Sequence, residues 1–484
     1  MSNPSNLLII MSDEHQSRAM SCADHSIAKT PNLDKLAANG TRFTNAYTPC
    51  PICVPARAAF ATGRYVHDIR LWDNAMPYIG EPKGWGHALQ DKSIRVESIG
   101  KLHYRYAEDP AGFDVEHIPM QVAGGTGMVW GSIRREDERV YKDGRMLGDY
   151  IGPGESKYTQ YDVEVTRRTC DWLRETAGRQ DGGPWCLYVG MVAPHFPLVV
   201  PQEFLDLYPV ASLPPTKLHP NDGYVQHPWV AKQNTALRGE NAFKDADERL
   251  MAIRCYFGLC TFMDHNVGQI IDVLKDTGQL DDTTIVYTSD HGDNVGARGY
   301  WGKSNMYEES VAVPLIVAPA KNSANAMAAG ATCATPVSLL DLSETIVDHF
   351  SADLPGSRPG RSLYDVAKTA DDAERVVFSE YHAVGAVSGC YMVRKGRWKY
   401  IAYLGFEPEL FDLENDPEEL TNLAQEDAYA EVVAELDGTL RSICDPIATN
   451  DLAFADQDAM IERYGGREAA SKLGAPAATP PPEV

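Results

Sequence analysis

Leu7-Leu8-Ile9-Ile10-Met11 is an unbroken apolar run that ends in Ser12-Asp13-Glu14-His15. Such a run reads as a strand covered on both faces, with its polar carboxyl end where a parallel sheet carries function. Further buried strands are predicted at Arg95 to Ile99, Trp185 to Val192, Thr284 to Thr288 and Val313 to Val317, and Thr41 to Tyr47 predicts another. Helical spacing of apolar positions covers Tyr161 to Thr176 and Leu250 to Thr277. Thr30 to Gly40 predicts a helix with a threonine cap, proline at its start and glycine at its end. Around Cys53, a short helix is predicted with Pro55 in its first turn and Gly63 just past its end. Strands alternating with helices predict an α/β fold: a large mixed, mostly parallel sheet sandwiched by helices.

The pattern changes after the Pro- and Gly-rich connector Leu354 to Gly360. Val376 to Tyr381, Tyr391 to Arg394 and Trp398 to Tyr403 predict the short antiparallel sheet of a smaller C-terminal α+β domain. The expected division is 1–370 and 371–484, in keeping with a chain of 484 residues that exceeds the size of a single core. The helical stretch Asp456 to Leu473 suggests an arm onto a neighbouring subunit, hence a homodimer or homotetramer. The Pro- and Ala-rich end, Ala475 to Val484, reads as disordered.

Charge and cysteine usage narrow the partners. Lys and Arg number 44 against 68 Asp and Glu, a net charge of −24 that repels nucleic acid and other polyanions. An anionic substrate must therefore be drawn by local cations. The ten cysteines follow no framework of spacings, and neither a signal peptide nor a long apolar span is evident. These features predict a cytoplasmic protein with reduced thiols and no membrane partner.

Cys53-Val54-Pro55-Ala56-Arg57, continued by Thr62-Gly63-Arg64, carries the chemistry. Residue 53 lies at a helix mouth, where backbone N–H groups favour an anion, and Arg57 one turn later adds a positive fork. A sulfate or phosphate ester suits that geometry. Alone, the stretch also reads as a buried structural cysteine, or Cys50-Pro51-Ile52-Cys53 as a redox or zinc pair, although no second C-x-x-C exists. Asp13 follows the first strand, and Asp290-His291-Gly292-Asp293 follows the Thr284–Thr288 strand. Carboxylates at two strand ends can converge on one hard divalent cation, Ca²⁺, Mg²⁺ or Mn²⁺, with His291 favouring Mn²⁺.

The C-x-P-x-R core resembles the signature of the sulfatase family, within the alkaline phosphatase superfamily. The resemblance implies that Cys53 is converted to formylglycine by a formylglycine-generating enzyme, and that its hydrate is the nucleophile. It extends to Gly100-Lys101-Leu102-His103, Ala193-Pro194-His195-Phe196-Pro197, Gly302-Lys303 and Glu409-Leu410-Phe411-Asp412. The family places a metal between an acidic pair after the first strand and an Asp with a His or Asn after a later one, so it implies Asp13, Glu14, Asp290, His291 and residue 53 as ligands. Glu14 stands where the family commonly has Asp, or Gln in the branch resembling choline sulfatases and phosphonate monoester hydrolases. Expected roles follow. Asp290 takes the proton as the diol attacks, while Arg57, Lys101 and Lys303 stabilise charge on the non-bridging oxygens. His195 protonates the leaving oxygen with Lys303 assisting, and His103 deprotonates the second hydroxyl. Hydrolysis of a small sulfate ester is the expected reaction. Cleavage of phosphodiesters or phosphonate monoesters, or a silent anion-binding relative, is the alternative. Trp72-Asp73-Asn74 and Glu380-Tyr381-His382 resemble segments near the pocket of choline-sulfatase-like members, which implies either a place for a cationic head or ordinary packing of Trp72.

Overall fold

The computed structural model of the chain describes residues 5–135, 138–141, 147–177, 182–237, 243–321, 323, 325, 327–474 and 479–483. An eight-stranded sheet runs through the larger part, in the order Ala331–Cys333, Thr41–Phe43, Leu315–Ala318, Thr283–Ser289, Asn6–Asp13, Trp185–Pro194, Arg95–Lys101, Val115–Met120. It is parallel except at Leu315–Ala318, which runs antiparallel to both its neighbours. Asn6–Asp13 is central, and its side chains divide strictly by parity. Leu8 and Ile10 join a core with the long helices Lys157–Ala177 and Ala246–Asp276. Leu7, Ile9 and Met11 face a second core with the helices Cys53–Thr62, Trp85–Asp91 and Leu339–His349. The unbroken apolar run is the consequence of helices on both faces.

A four-stranded antiparallel sheet follows, built from Val376–Tyr381, Cys390–Lys395, Trp398–Tyr403 and Glu409–Asp412. The helix Ala430–Ile443 covers it through Leu436 and Leu440. The Glu409–Asp412 strand joins the two parts, because the Glu409 carboxylate accepts from Tyr307 in the larger part and Tyr403 in the smaller.

Several expectations are corrected. Thr41 to Tyr47 is two strands: Thr41–Phe43 stays in the large sheet, while Ala46–Tyr47 pairs with Val337–Ser338. Between them the side chains of Thr44 and Asn45 bond the backbone of Cys333 and Ala334, which turns the chain out of the sheet. The strand expected from Val313 begins at Leu315, since Pro314 has no N–H to pair. Thr30 makes no capping bond. Instead the Asp264 carboxylate, from the long helix, accepts from Asn32 N at 3.1 Å and Leu33 N at 2.8 Å. Gly40 is needed for close packing, as a Cβ there would lie 2.3 Å from the Val317 carbonyl oxygen.

The expected intersubunit arm packs on its own chain. Met460 and Ile461 of the helix Pro446–Arg463, with Ala470, bury against Ala75, Val129 and Ile133. Of the tail expected to be disordered, residues 475–478 and 484 lie outside the described residues. Thr479 to Glu483 are described, and Thr479 enters the site below. Among the described residues, no helix is long and apolar enough to cross a membrane.

Candidate active site

The carboxyl ends of four adjacent strands deliver the site. Asp13 ends the central strand in register with Pro194, and Ser12 pairs with Ser289, so His195 and Asp290 emerge on either side of it. Lys101 ends the next strand out. Gly100 lets that strand approach its neighbour: at φ +98° its missing Cβ would sit 2.2 Å from the Gly190 oxygen.

Cys53 heads a ten-residue helix in which every residue is buried, and Gly63 closes it in the left-handed conformation at φ +66°. The N–H of Val54 is met by Asn74 Oδ1 at 3.1 Å. Cys53 Sγ lies 3.6 Å from Asp13 Oδ1 and 3.2 Å from His291 Nε2. One ligand atom each from Asp13, Cys53, Asp290 and His291 falls within 4.8 Å of the others, all four buried. His291 Nδ1–H donates to the Gly292 carbonyl at 3.0 Å, an arrangement that turns the Nε2 lone pair towards the carboxylates. Two carboxylates and an imidazole in a buried cluster fit a divalent cation that prefers oxygen and tolerates nitrogen.

Cations pack around this cluster. Lys101 Nζ is 2.5 Å from Asp13 Oδ2. Arg57 donates through Nε to Asp290 Oδ2 at 2.8 Å, through Nη2 to Asp13 Oδ2 at 3.3 Å, and through Nη1 to Tyr188 Oη and the Lys101 carbonyl. Its fork holds the carboxylates. Burial pushes the Asp13 carboxyl up, but Lys101, His195 and Arg57 outweigh it, so Asp13 titrates well below the usual range. Burial, reinforced by Asp13, pushes the Cys53 thiol up to about 12.

A second cluster lies beside the first. Glu14 has a left-handed backbone, φ +71°, which swings its side chain away from the Cys53 group. Glu14 Oε2 accepts from Lys303 Nζ at 3.0 Å and lies 3.4 Å from His195 Nε2. With Asp13 and His195 it forms a separate potential ligand group. Its Oε1 is buried without a hydrogen-bond partner among the described residues. His195 Nδ1–H donates to the Phe196 carbonyl at 2.5 Å, which leaves Nε2 to accept from the Lys303 ammonium at 2.8 Å. Burial and then Lys303 hold His195 well below its ordinary value, so the imidazole is neutral. Burial opposes charge on Lys303, but Cys53, Glu14 and Asp13 outweigh it and the ammonium persists.

His103 stands on the other side, also at positive φ, +60°, with its N–H bonded to the Met120 carbonyl at 2.9 Å. Burial, then Lys101 and Arg57, keep it neutral. Its Nε2 is 2.9 Å from Thr479 Oγ1, and its Nδ1 has no partner among the described residues.

All ten residues expected from the sequence therefore surround one cleft, Glu14 in the neighbouring cluster. Asn74, Tyr158, Tyr188 and Thr479 were not foreseen in these positions. The suggested cationic-head pocket is absent among the described residues. Trp72 is 0% exposed, donates to Asp456 and packs edge-on to His382. Asp73 accepts from Ser132 and Gln457, and Glu380 accepts from His67.

Comparison with known proteins bears on this geometry. The sulfatase family description matches residues 5–352, and that of the C-terminal region of N-sulphoglucosamine sulphohydrolase matches residues 296–445. A choline-sulfatase of Rhizobium meliloti (strain 1021) is 33% identical over 439 residues, covering 87% of this chain and 82% of its own. Arylsulfatase K of Danio rerio is 29% identical over 472 residues, covering 91% and 84%. The phosphonate monoester hydrolase of Agrobacterium radiobacter superposes with a TM-score of 0.73 at 22% identity, over 91% of this chain and 95% of that one, which shows a shared fold. With its family match spanning most of the large sheet and the strand ends that form the cleft, the chain belongs to the sulfatase family and is a sulfuric ester hydrolase.

Proposed function

We propose that the chain hydrolyses a small sulfate monoester in this cleft, with Cys53 oxidised to formylglycine and one divalent cation, Ca²⁺ or Mn²⁺ with Mg²⁺ the alternative, held by Asp13, Asp290 and His291. The observation that carries this reading is the convergence of the Asp13, Cys53, Asp290 and His291 ligand atoms within 4.8 Å, ringed by Arg57, Lys101 and Lys303. When present, formylglycine supplies a hydrated aldehyde that attacks sulfur through one hydroxyl and permits sulfate release through the other. A bound cation supplies Lewis-acid polarisation of an ester oxygen.

The chain's own groups do the rest. Arg57 commits four of its five N–H donors to Asp290, Asp13, Tyr188 and the Lys101 carbonyl, which orients the carboxylates and leaves one Nη2 N–H for a sulfuryl oxygen. Lys101 and Lys303 offset the negative charge gathered on the sulfuryl oxygens. Lys303 holds the proton for the leaving oxygen, and neutral His195, which accepts from it at Nε2, orients the ammonium. Neutral His103 is ready to take a proton from residue 53. Ten free cysteines support a reducing compartment, the cytoplasm.

Side-by-side assays of p-nitrophenyl sulfate, p-nitrophenyl phosphate and bis-p-nitrophenyl phosphate test the reaction. Preferred turnover of the sulfate is expected, lost in Cys53→Ala. Preference for the diester would assign phosphodiesterase chemistry instead, and no turnover despite bound metal would mark a silent relative. Peptide mass spectrometry across residue 53 tests the oxidation directly.

A further inference from the structure

The C-terminal tail reaches the catalytic cleft of its own chain. Its approach is fixed at the far end: Ala470 is buried against Val129 and Ile133, and the Leu473 carbonyl accepts from Trp130 N. Gly474 lies so close to Gly127 that a Cβ would meet the Gly127 oxygen at 2.0 Å. At the near end, Thr479 is gripped from two sides. Its Oγ1 is 2.9 Å from His103 Nε2, and its carbonyl accepts from Tyr158 Oη at 2.6 Å. The Tyr158 ring in turn packs edge-on to His195, with centroids 5.8 Å apart. Through Tyr158, Thr479 thus links the histidine on one flank of residue 53 to the His195–Lys303 pair, which the proposed reaction assigns to the leaving oxygen.

Pro480-Pro481-Pro482 follow directly, and Pro481 and Pro482 are half-buried. Each proline locks φ and lacks an N–H, so this segment is a stiff extended strip that cannot coil away into helix. Neither bond to Thr479 is expendable without consequence. Without the tail, His103 Nε2 and Tyr158 Oη would each lose their partner.

We propose that Thr479 and the prolines after it form a wall of the leaving-group side of the cleft, and that this wall restricts the enzyme to sulfate esters of compact alcohols or phenols. Thr479 is the specificity-determining residue of that wall. The assignment rests on the sulfate-ester reading of the site, and goes beyond it by naming what bounds the substrate.

Two variants test it: Thr479→Ala, and a chain ending at Ala478. Each is compared with the full chain in hydrolysing p-nitrophenyl sulfate and a sulfated disaccharide. The ratio of kcat/KM for the disaccharide to that for p-nitrophenyl sulfate should rise about tenfold in the shortened chain, and less in Thr479→Ala. Independently of turnover, the rate at which diethyl pyrocarbonate modifies His103, followed by peptide mass spectrometry, should increase in both variants. An unchanged size ratio or an unchanged His103 rate overturns the assignment. Failure of the full chain to hydrolyse either ester would count against the proposed reaction instead. The size ratio is then read from calorimetric binding of the same two esters, alongside the His103 rate.

Discussion

Asp13 divides its two oxygens between tasks. Oδ2 is held by Lys101 and Arg57, while Oδ1 faces Cys53 and His291. The cations keep it ionised in a fully buried place, as a metal ligand requires. Chelation by EDTA should therefore abolish hydrolysis, and Ca²⁺ or Mn²⁺ should restore it. Activity surviving exhaustive chelation would remove the cation from the scheme. Lys303 makes a sharper prediction. If its ammonium is the proton source, Lys303→Ala should lower kcat by about 10²–10³ for an alkyl sulfate and much less for p-nitrophenyl sulfate, whose leaving group needs little protonation. Equal losses across esters of differing leaving-group pKa would assign Lys303 to charge stabilisation alone. Asp13 and Asp290 were legible in the sequence because each stands at the end of an apolar run, and Lys101 and His195 because they stand in elements resembling the family's, just past predicted strands. Glu14 was only half legible: its position beside Asp13 is plain, but its left-handed backbone is a tertiary outcome that redirects the side chain to Lys303. Thr479 had no signal, since its partner His103 lies 376 residues away and the tail's composition suggests only disorder.

At the scale of elements, the buried strands and the two long helices were readable from their periodicity, and the errors cluster where a distant side chain overrides local preference. The helix Pro31–Ala38 shows this best. Thr30 looks like its cap, yet the Thr30 hydroxyl bonds Ser21, and Asp264 from another helix serves the first N–H groups. Burial raises the Asp264 carboxyl to about 6, although the Leu33 and Asn32 donors pull it down. Asp264→Ala should strand the N–H groups of Asn32 and Leu33 and destabilise the protein by about 1–3 kcal/mol, read as a lower Tm. The Thr30→Ala change is expected to cost less. If Thr30→Ala proved the more damaging, the helix would be capped locally after all. The antiparallel direction of Leu315–Ala318 and the existence of the edge strand Val115–Met120 were poorly legible, because both are set by the neighbours they pair with, and pairing leaves little trace in a short segment.

For the whole molecule, the two parts are tied by buried ion pairs. Lys399 of the smaller sheet lies 2.9 Å from Glu308 and 2.7 Å from Glu419. Glu380, on the first strand of that sheet, accepts from His67 Nδ1 at 2.8 Å and from the His67 N–H at 2.9 Å, with His382 at 3.2 Å. Burial pushes Glu380 up, but His67 and His382 reverse this and bring it down to about 2. Burial pushes His67 down, and Glu380 overcomes it to raise the imidazole. The linkage has a defined sign. A carboxylate lowered in the fold contributes stability above its unfolded value of 4.5 and loses it as pH falls towards 2. An imidazole raised in the fold contributes below its unfolded value of 6.5 and loses it as pH rises through the folded value. The pair is therefore strongest between about 4.5 and 6.5. Glu380→Gln should cost about 3 kcal/mol in that window and less on either side, measured as the difference in Tm between variant and parent from pH 4 to pH 8.5. A difference that stays constant over that range would mean that the His67–Glu380 contact is an uncharged hydrogen bond.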